Sequence, residues 1–151
     1  MGSRRTHSIN LAMQAARLRA IFPSSTLASR NQSLIWRGTI VPSAASRSYE
    51  IKIEYVRDGH PDVYVTNPKL GRFPGEDRLP HVYDTDQQRL CLYYKRAREW
   101  DAGMLIANTI VPWTSEWLFF YEIWLGTGEW CGGGIHNMNC AEPVAICLAA
   151  S

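Results

Sequence analysis

The sequence predicts an α+β fold in which two helices pack against an antiparallel sheet. Apolar residues recur with helical spacing over residues 8–22 and again over 113–125. Between these two stretches, residues 49–56 alternate between apolar and charged side chains, as in a strand with one buried face. A helix, a run of strands and a second helix, in that order, form a meander packed against helices.

The first helix is predicted from Ser8 to Phe22. Leu11, Ala15, Leu18 and Phe22 follow one another at four, three and four residues, so they share one face of a helix. Ser8 is the expected N-cap, because its hydroxyl can accept a hydrogen bond from a backbone N–H of the first turn. A Pro-Ser-Ser sequence after Phe22 ends the helix.

Three or four antiparallel strands are predicted next. They are expected within residues 31–41, over 49–56 and over 62–66, with turn-forming residues between them. Residues 69–86 contain two glycines and two prolines and show no periodicity, so we expect a long irregular loop. Long loops in small domains are uncommon and often functional.

The second helix is the most aromatic part of the chain. Thr109 is its expected N-cap, Pro112 is tolerated in the first turn, and the segment 126–128 stops it. Its broad apolar face indicates core packing, with the tryptophans buried. The face consists of Trp113, Trp117, Phe120, Tyr121, Trp124 and Leu125.

Length and charge set the broad class. We expect the 151 residues to form a single domain, residues 1–151, in which residues 1–7 are a loose arm. A net charge of +2 gives no electrostatic case for a dedicated nucleic-acid binder. Arg17 and Arg19 interrupt the N-terminal apolar pattern and no apolar run reaches transmembrane length, so a cytoplasmic protein is expected.

The four cysteines predict no metal site. Cys91, Cys131, Cys140 and Cys147 are separated by 40, 9 and 7 residues, which fits no CxxC ligand pattern. In a reducing compartment we expect each of them to be reduced, either as a small buried apolar group or as a reactive thiol. No cofactor is predicted either.

The segment from His81 to Cys91 is the candidate site. His81 opens an irregular polar stretch, and Cys91 closes it ten residues later between Leu90 and Leu92. A cysteine delivered by an irregular loop is a candidate nucleophile. The flanking leucines equally allow a buried cysteine at the end of a strand.

The order of these residues resembles the active-site region of ubiquitin-conjugating enzymes. There a His-Pro-Asn triplet precedes the thioester-forming cysteine by the same ten residues, and a tryptophan and a Thr-Ile helix start follow, as Trp100 and Thr109-Ile110 do here. The resemblance covers about residues 8–125. It implies a UBC-like fold with an N-terminal helix, a four-stranded antiparallel meander, an active-site loop and a central helix.

Within that family, the sequence most resembles bacterial members from antiphage operons that signal through cyclic oligonucleotides (CBASS). The segments that carry this likeness are 106–118, 126–130 and 132–136. The resemblance implies a partner, the cGAS/DncV-like nucleotidyltransferase of the operon. The protein would form a thioester with the C-terminus of this partner and conjugate it to targets, which primes synthesis of the nucleotide messenger.

The resemblance also implies site roles. Cys91 would be the thioester-forming nucleophile, and His81 would organise the loop. The Asn of the family triplet falls at Tyr83, so Tyr83, Asn108 or a backbone N–H is the candidate oxyanion donor. Four acidic residues are candidates to orient or deprotonate an incoming amine: Asp84, Asp86, Glu99 and Asp101.

Two other functions fit the same residues. The fold could serve as a binding scaffold whose chemistry was lost with the Pro-Asn pair, or Cys91 could act as a hydrolase nucleophile with His81 or His136. Residues 132–134 form either a turn or an anion cradle. Cys131 and His136 could form a thiol–imidazole pair, or each could have a structural role only.

Overall fold

A computed structural model describes residues 7–132, and the first helix, α1, spans Leu11–Ile21. Ala15 and Leu18 are buried, as predicted from the apolar stripe. The predicted cap is wrong: Asn10 is the N-cap, and its Oδ1 accepts a hydrogen bond from the Met13 N–H at 2.8 Å. Ser8 lies before the helix, where its hydroxyl donates to Asp58 instead.

Six strands form one antiparallel sheet in the order β1-β2-β3-β4-β6-β5. The first four follow the chain as a four-stranded meander. The sequence missed β1, an edge strand whose side chains are nearly all exposed and therefore show no alternation. The strands are β1 Thr26–Arg30, β2 Ser33–Ile40, β3 Tyr49–Val56, β4 Asp62–Asn67, β5 Val82–Asp84 and β6 Arg89–Leu90.

The end of the predicted irregular loop is a hairpin. β5 and β6 pair through Val82 and Leu90, and β6 joins the meander where Arg89 pairs with Tyr64 of β4. Strands of three and two residues are too short to show a period in the sequence. The hairpin could therefore be recognised only from the tertiary structure. The hairpin matters because Cys91 directly follows β6.

The second helix, α2, spans Ile110–Thr127 and packs on the core through Trp117, Trp124 and other buried residues. Thr109 occupies the N-cap position, but its hydroxyl does not cap the helix. It accepts from Trp100 Nε1 at 3.0 Å and donates to the Leu105 carbonyl at 2.8 Å. Gly128 ends the helix with a positive φ of 77°, a conformation that glycine adopts without strain.

Two buried glutamines join distant segments through their amides. Gln14 of α1 donates to the Met104 carbonyl at 2.8 Å and accepts from the Ile106 N–H at 2.9 Å. Gln88, in the β5–β6 turn, accepts from the backbone N–H of Leu70 and donates to the carbonyl of Val65 in β4. These bonds fix the loop before α2 and the hairpin before Cys91.

No helix within residues 7–132 is long and apolar enough to cross a membrane. The predicted arm, apart from His7, and the segment after residue 132 lie outside the described residues.

We expect Gln14→Ala to lower the free energy of unfolding by about 2–4 kcal/mol. The change leaves the Met104 carbonyl and the Ile106 N–H without their protein partner, and an unmade buried hydrogen bond costs about 1–3 kcal/mol. Urea denaturation would measure the loss. Met13→Ala is the matched control, because the exposed Met13 side chain on the same helix should contribute less than about 0.5 kcal/mol.

Candidate functional site

An aromatic cavity of about 220 Å³ lies between the residues that follow β6 and one face of α2. This volume is below the roughly 300–1,000 Å³ of pockets that enclose a drug-sized ligand. The cavity is lined by His81, Cys91, Leu92, Tyr93, Glu99, Trp113, Glu116, Trp117, Phe120, Trp130 and Gly132.

Cys91 lines this cavity from the end of β6. Its thiol is reduced, and the residue is only 3% exposed. The backbone N–H of Cys91 donates to the His81 carbonyl at 3.0 Å, and Sγ lies 3.8 Å from the Tyr93 carbonyl oxygen as a weak donor. Cys91 is thus a buried strand-end cysteine that also lines the cavity.

His81 organises the site through its main chain. Its carbonyl accepts from the Cys91 N–H and also from Trp117 Nε1 at 2.9 Å, so it ties the cysteine to α2. A positive φ of 48° turns the chain at this residue. The imidazole stacks on Trp130 with ring centroids 4.6 Å apart.

Tyr83 and Asn108 occupy different places. The Tyr83 hydroxyl lies 3.5 Å from the Tyr93 carbonyl oxygen, the same atom that the Cys91 thiol contacts. The Asn108 side chain instead accepts a hydrogen bond from Arg17 Nε at 3.3 Å, on the α1 side of the fold, and it does not line the cavity. Tyr83 does not line the cavity either, but of the two side chains considered as oxyanion donors it is the one that shares a contact atom with the thiol.

The four acidic candidates also differ in whether they line the cavity. Glu99 lines the cavity and accepts from the Tyr94 N–H at 2.7 Å. Asp84 and Asp101 accept backbone N–H groups in turns, and Asp86 is an exposed turn residue; none of these three lines the cavity.

Glu116 is a second carboxylate of the cavity that the sequence reading missed. Its position in the helix, three residues after Trp113 and four before Phe120, could have indicated that it lines the cavity. An acidic residue at that spacing lies on the same helix face as the aromatic residues. Glu99 and Glu116 are both exposed, so they stand where the cavity meets solvent.

His60 and Tyr93 form a link that the sequence reading also missed. The Tyr93 hydroxyl lies 2.9 Å from His60 Nδ1, in the turn between β3 and β4. Burial raises the pKa of Tyr93, so the phenol keeps its proton. Burial, and then the positive charge of Lys95, lower the pKa of His60. At neutral pH the hydroxyl therefore shares a hydrogen bond with a neutral imidazole, and this bond fixes the tyrosine whose carbonyl contacts Cys91.

The expectation that every cysteine is reduced is wrong for Cys131, which is disulfide-bonded.

Of the glycine segment, Gly132 lines the cavity, and residues 133–134 lie outside the described residues, as does His136. Across residues 7–132, no three His, Cys, Asp or Glu side chains are grouped so that they could hold a metal ion.

We expect His60 to make the stability of the fold depend on pH. Folding lowers its pKa below the ordinary value of 6.5, so the unfolded chain binds the proton more tightly. The stabilisation is present above about pH 6.5 and is lost as the pH falls through the lower pKa of the folded state.

Urea denaturation at pH 7.5 and 5.0 tests this dependence. Wild type should lose more stability on acidification than His60→Gln, which cannot take up the proton. His7→Gln is the control, since His7 is exposed at the start of the described chain and should leave the difference unchanged. Equal losses in wild type and His60→Gln would contradict the prediction.

Comparison with known proteins adds one finding to this geometry. Residues 14–137 match the family model described as "Type II CBASS E2 protein". The matched region contains most of α1, all six strands of the sheet, the whole of α2 and every cavity residue described above. No curated protein matches the chain.

Proposed function

The chain belongs to the family of type II CBASS E2 proteins, and from that membership we propose that it is a ubiquitin-conjugating-type acyltransferase with Cys91 as its nucleophile. The order of elements supports a UBC-like fold for this activity. A helix, a four-stranded meander, a loop carrying the cysteine and a second helix follow one another as the family resemblance requires.

The observation that carries the proposal is the placement of the Cys91 sulfur. The hairpin β5–β6 and the His81 carbonyl hold the cysteine at the wall of a cavity that suits the end of a peptide chain. A thioester-forming enzyme needs a cysteine on a shaped loop with room for one acyl group. The family match covers this whole arrangement.

The reaction would proceed in two acyl transfers. The Cys91 thiolate attacks the carbonyl carbon of an activated C-terminus, the new S–C bond forms, and the bond to the leaving group breaks. An acceptor amine then attacks the thioester carbonyl, an amide forms, and the cysteine leaves as a thiolate that regains a proton. The acyl group arrives already activated by another protein. Glu99 and Glu116, at the mouth of the cavity, would attract the ammonium form of the acceptor, and one of them would take the proton that the nitrogen loses before it attacks.

His81 and Tyr83 support Cys91 in this proposal. His81 acts as a positioning residue, because its carbonyl holds both the Cys91 N–H and α2. The Tyr83 hydroxyl contacts the same carbonyl oxygen as the thiol, and this shared contact supports Tyr83 as a candidate oxyanion donor.

Family membership supports a proposal for the acyl partner. We assign it as the C-terminus of a cGAS/DncV-like nucleotidyltransferase of the operon, whose conjugation primes cyclic-nucleotide antiphage signalling in the cytoplasm. A narrow cavity suits a flexible C-terminal tail better than a folded surface.

The burial of Cys91 favours one alternative, a scaffold that binds the nucleotidyltransferase without chemistry. A thiol with 3% exposure is shielded from bulky reactants until the cavity admits them. A cysteine hydrolase is the other alternative, and it differs by releasing a free acid instead of an amide.

Intact-mass analysis of the protein co-expressed with its operon partners tests the acyltransferase directly. We expect a reductant-sensitive adduct on wild type, a reductant-stable ester on Cys91→Ser, and none on Cys91→Ala, because only sulfur forms a thioester. A stable complex without any adduct would favour the scaffold, and accumulation of the free acid would favour the hydrolase.

We expect His81→Asn to keep the rate of thioester formation within about tenfold of wild type, with the same pH dependence. Asparagine tolerates a positive φ and retains the main-chain carbonyl that positions Cys91. A general base would instead contribute about 10²–10⁴-fold. Single-turnover rates from pH 6 to 9 separate the two roles, and a larger loss with an altered pH profile would assign proton transfer to the imidazole.

A further inference from the structure

The indole of Trp130 carries a buried hydrogen-bond donor that no protein group satisfies. Trp130 is 7% exposed, and its Nε1 has no hydrogen-bond partner. Three other buried indoles each donate to a protein oxygen at 2.8–3.0 Å: Trp36 to Ser25, Trp100 to Thr109 and Trp117 to the His81 carbonyl. Within residues 7–132, Trp130 is therefore the tryptophan whose buried indole N–H lacks an acceptor.

An unmade hydrogen bond of this kind costs about 1–3 kcal/mol, so it needs an explanation. A phenylalanine would fill much of the same space without that cost. A buried donor is retained at a functional site when a ligand supplies the missing acceptor.

The position of Trp130 indicates which ligand would supply it. The indole lines the cavity that contains Cys91, and it stacks on His81, the residue that holds the Cys91 N–H. Gly132 lies against the N–H edge of the ring and also lines the cavity: a Cβ at this position would stand 2.7 Å from Nε1. Any other residue at this position would therefore clash with the ring edge that carries Nε1.

We propose that Trp130 is a catalytic residue whose Nε1–H binds the carbonyl oxygen of the acyl group during transfer to and from Cys91. This inference rests on the proposed acyltransferase function and adds a specific oxyanion donor to it. An indole suits the task because it only donates, and it keeps its proton throughout.

In each acyl transfer, the indole would act on the carbonyl oxygen while that oxygen carries negative charge. As Cys91 Sγ bonds to the carbonyl carbon, the π electrons move to oxygen, and the Nε1–H stabilises that negative charge. When the tetrahedral intermediate collapses, the electrons return and the bond to the leaving thiolate breaks. The donor is buried, and away from bulk water a hydrogen bond to a charged oxygen is stronger than in water.

The test measures two reactions of Cys91 in the full-length chain. One is acylation by a thioester of a peptide that ends in the partner's C-terminal sequence, and it forms an oxyanion. The other is alkylation by iodoacetamide, which requires the same thiolate and the same access but forms no carbonyl oxyanion. Peptide mapping assigns both products to Cys91.

We expect Trp130→Phe to slow acylation by about 100-fold, the effect of removing one oxyanion donor, and to leave alkylation within about twofold. Benzothienylalanine at position 130, which replaces the N–H with sulfur at nearly constant volume, should reproduce this split. Trp124→Phe is the matched control, because Trp124 is buried on α2 and does not line the cavity.

Each other outcome overturns the inference. Unchanged acylation in Trp130→Phe would show that the N–H is not used, and a parallel loss of acylation and alkylation would assign Trp130 a packing role only. If wild type is alkylated but never acylated, by the peptide thioester or in the presence of the operon partners, the acyltransferase proposal fails as well.

Discussion

The main-chain carbonyl of His81 is the acceptor on which the site depends. It takes one hydrogen bond from the Cys91 N–H across the β5–β6 hairpin and a second from the Trp117 indole on α2. One oxygen thereby fixes the cysteine relative to both walls of the cavity. Because the bonds come from the backbone of His81, the fold demands a chain that turns there with positive φ more than it demands an imidazole.

Aromatic side chains build the rest of the site around that acceptor. Trp130 contacts both Trp117 and Phe120 on one side of the cavity, while Tyr93 packs on Trp113 at the other. Such rings bury a large apolar area and move little, so they preserve an empty space without collapsing into it. The few polar groups among them act in low dielectric, where each hydrogen bond or charge has a larger effect.

The sequence predicted some residues of the site and missed others. The ten-residue interval between His81 and Cys91 is a local property, and the hairpin explains it by pairing the two residues. Glu116, His60 and Trp130 come from α2, a turn between strands and the segment after α2. No short motif connects them to Cys91, because their proximity arises from packing.

By itself, the sequence determined the long periodic elements and the family. Alternation over residues 49–56 and the apolar stripes of both helices persist long enough to be read, since each repeats a simple geometric period. Only the tertiary structure decided the edge strand β1, the short hairpin before Cys91 and the composition of the cavity. Those features depend on contacts between distant segments, and such contacts leave no period in the chain.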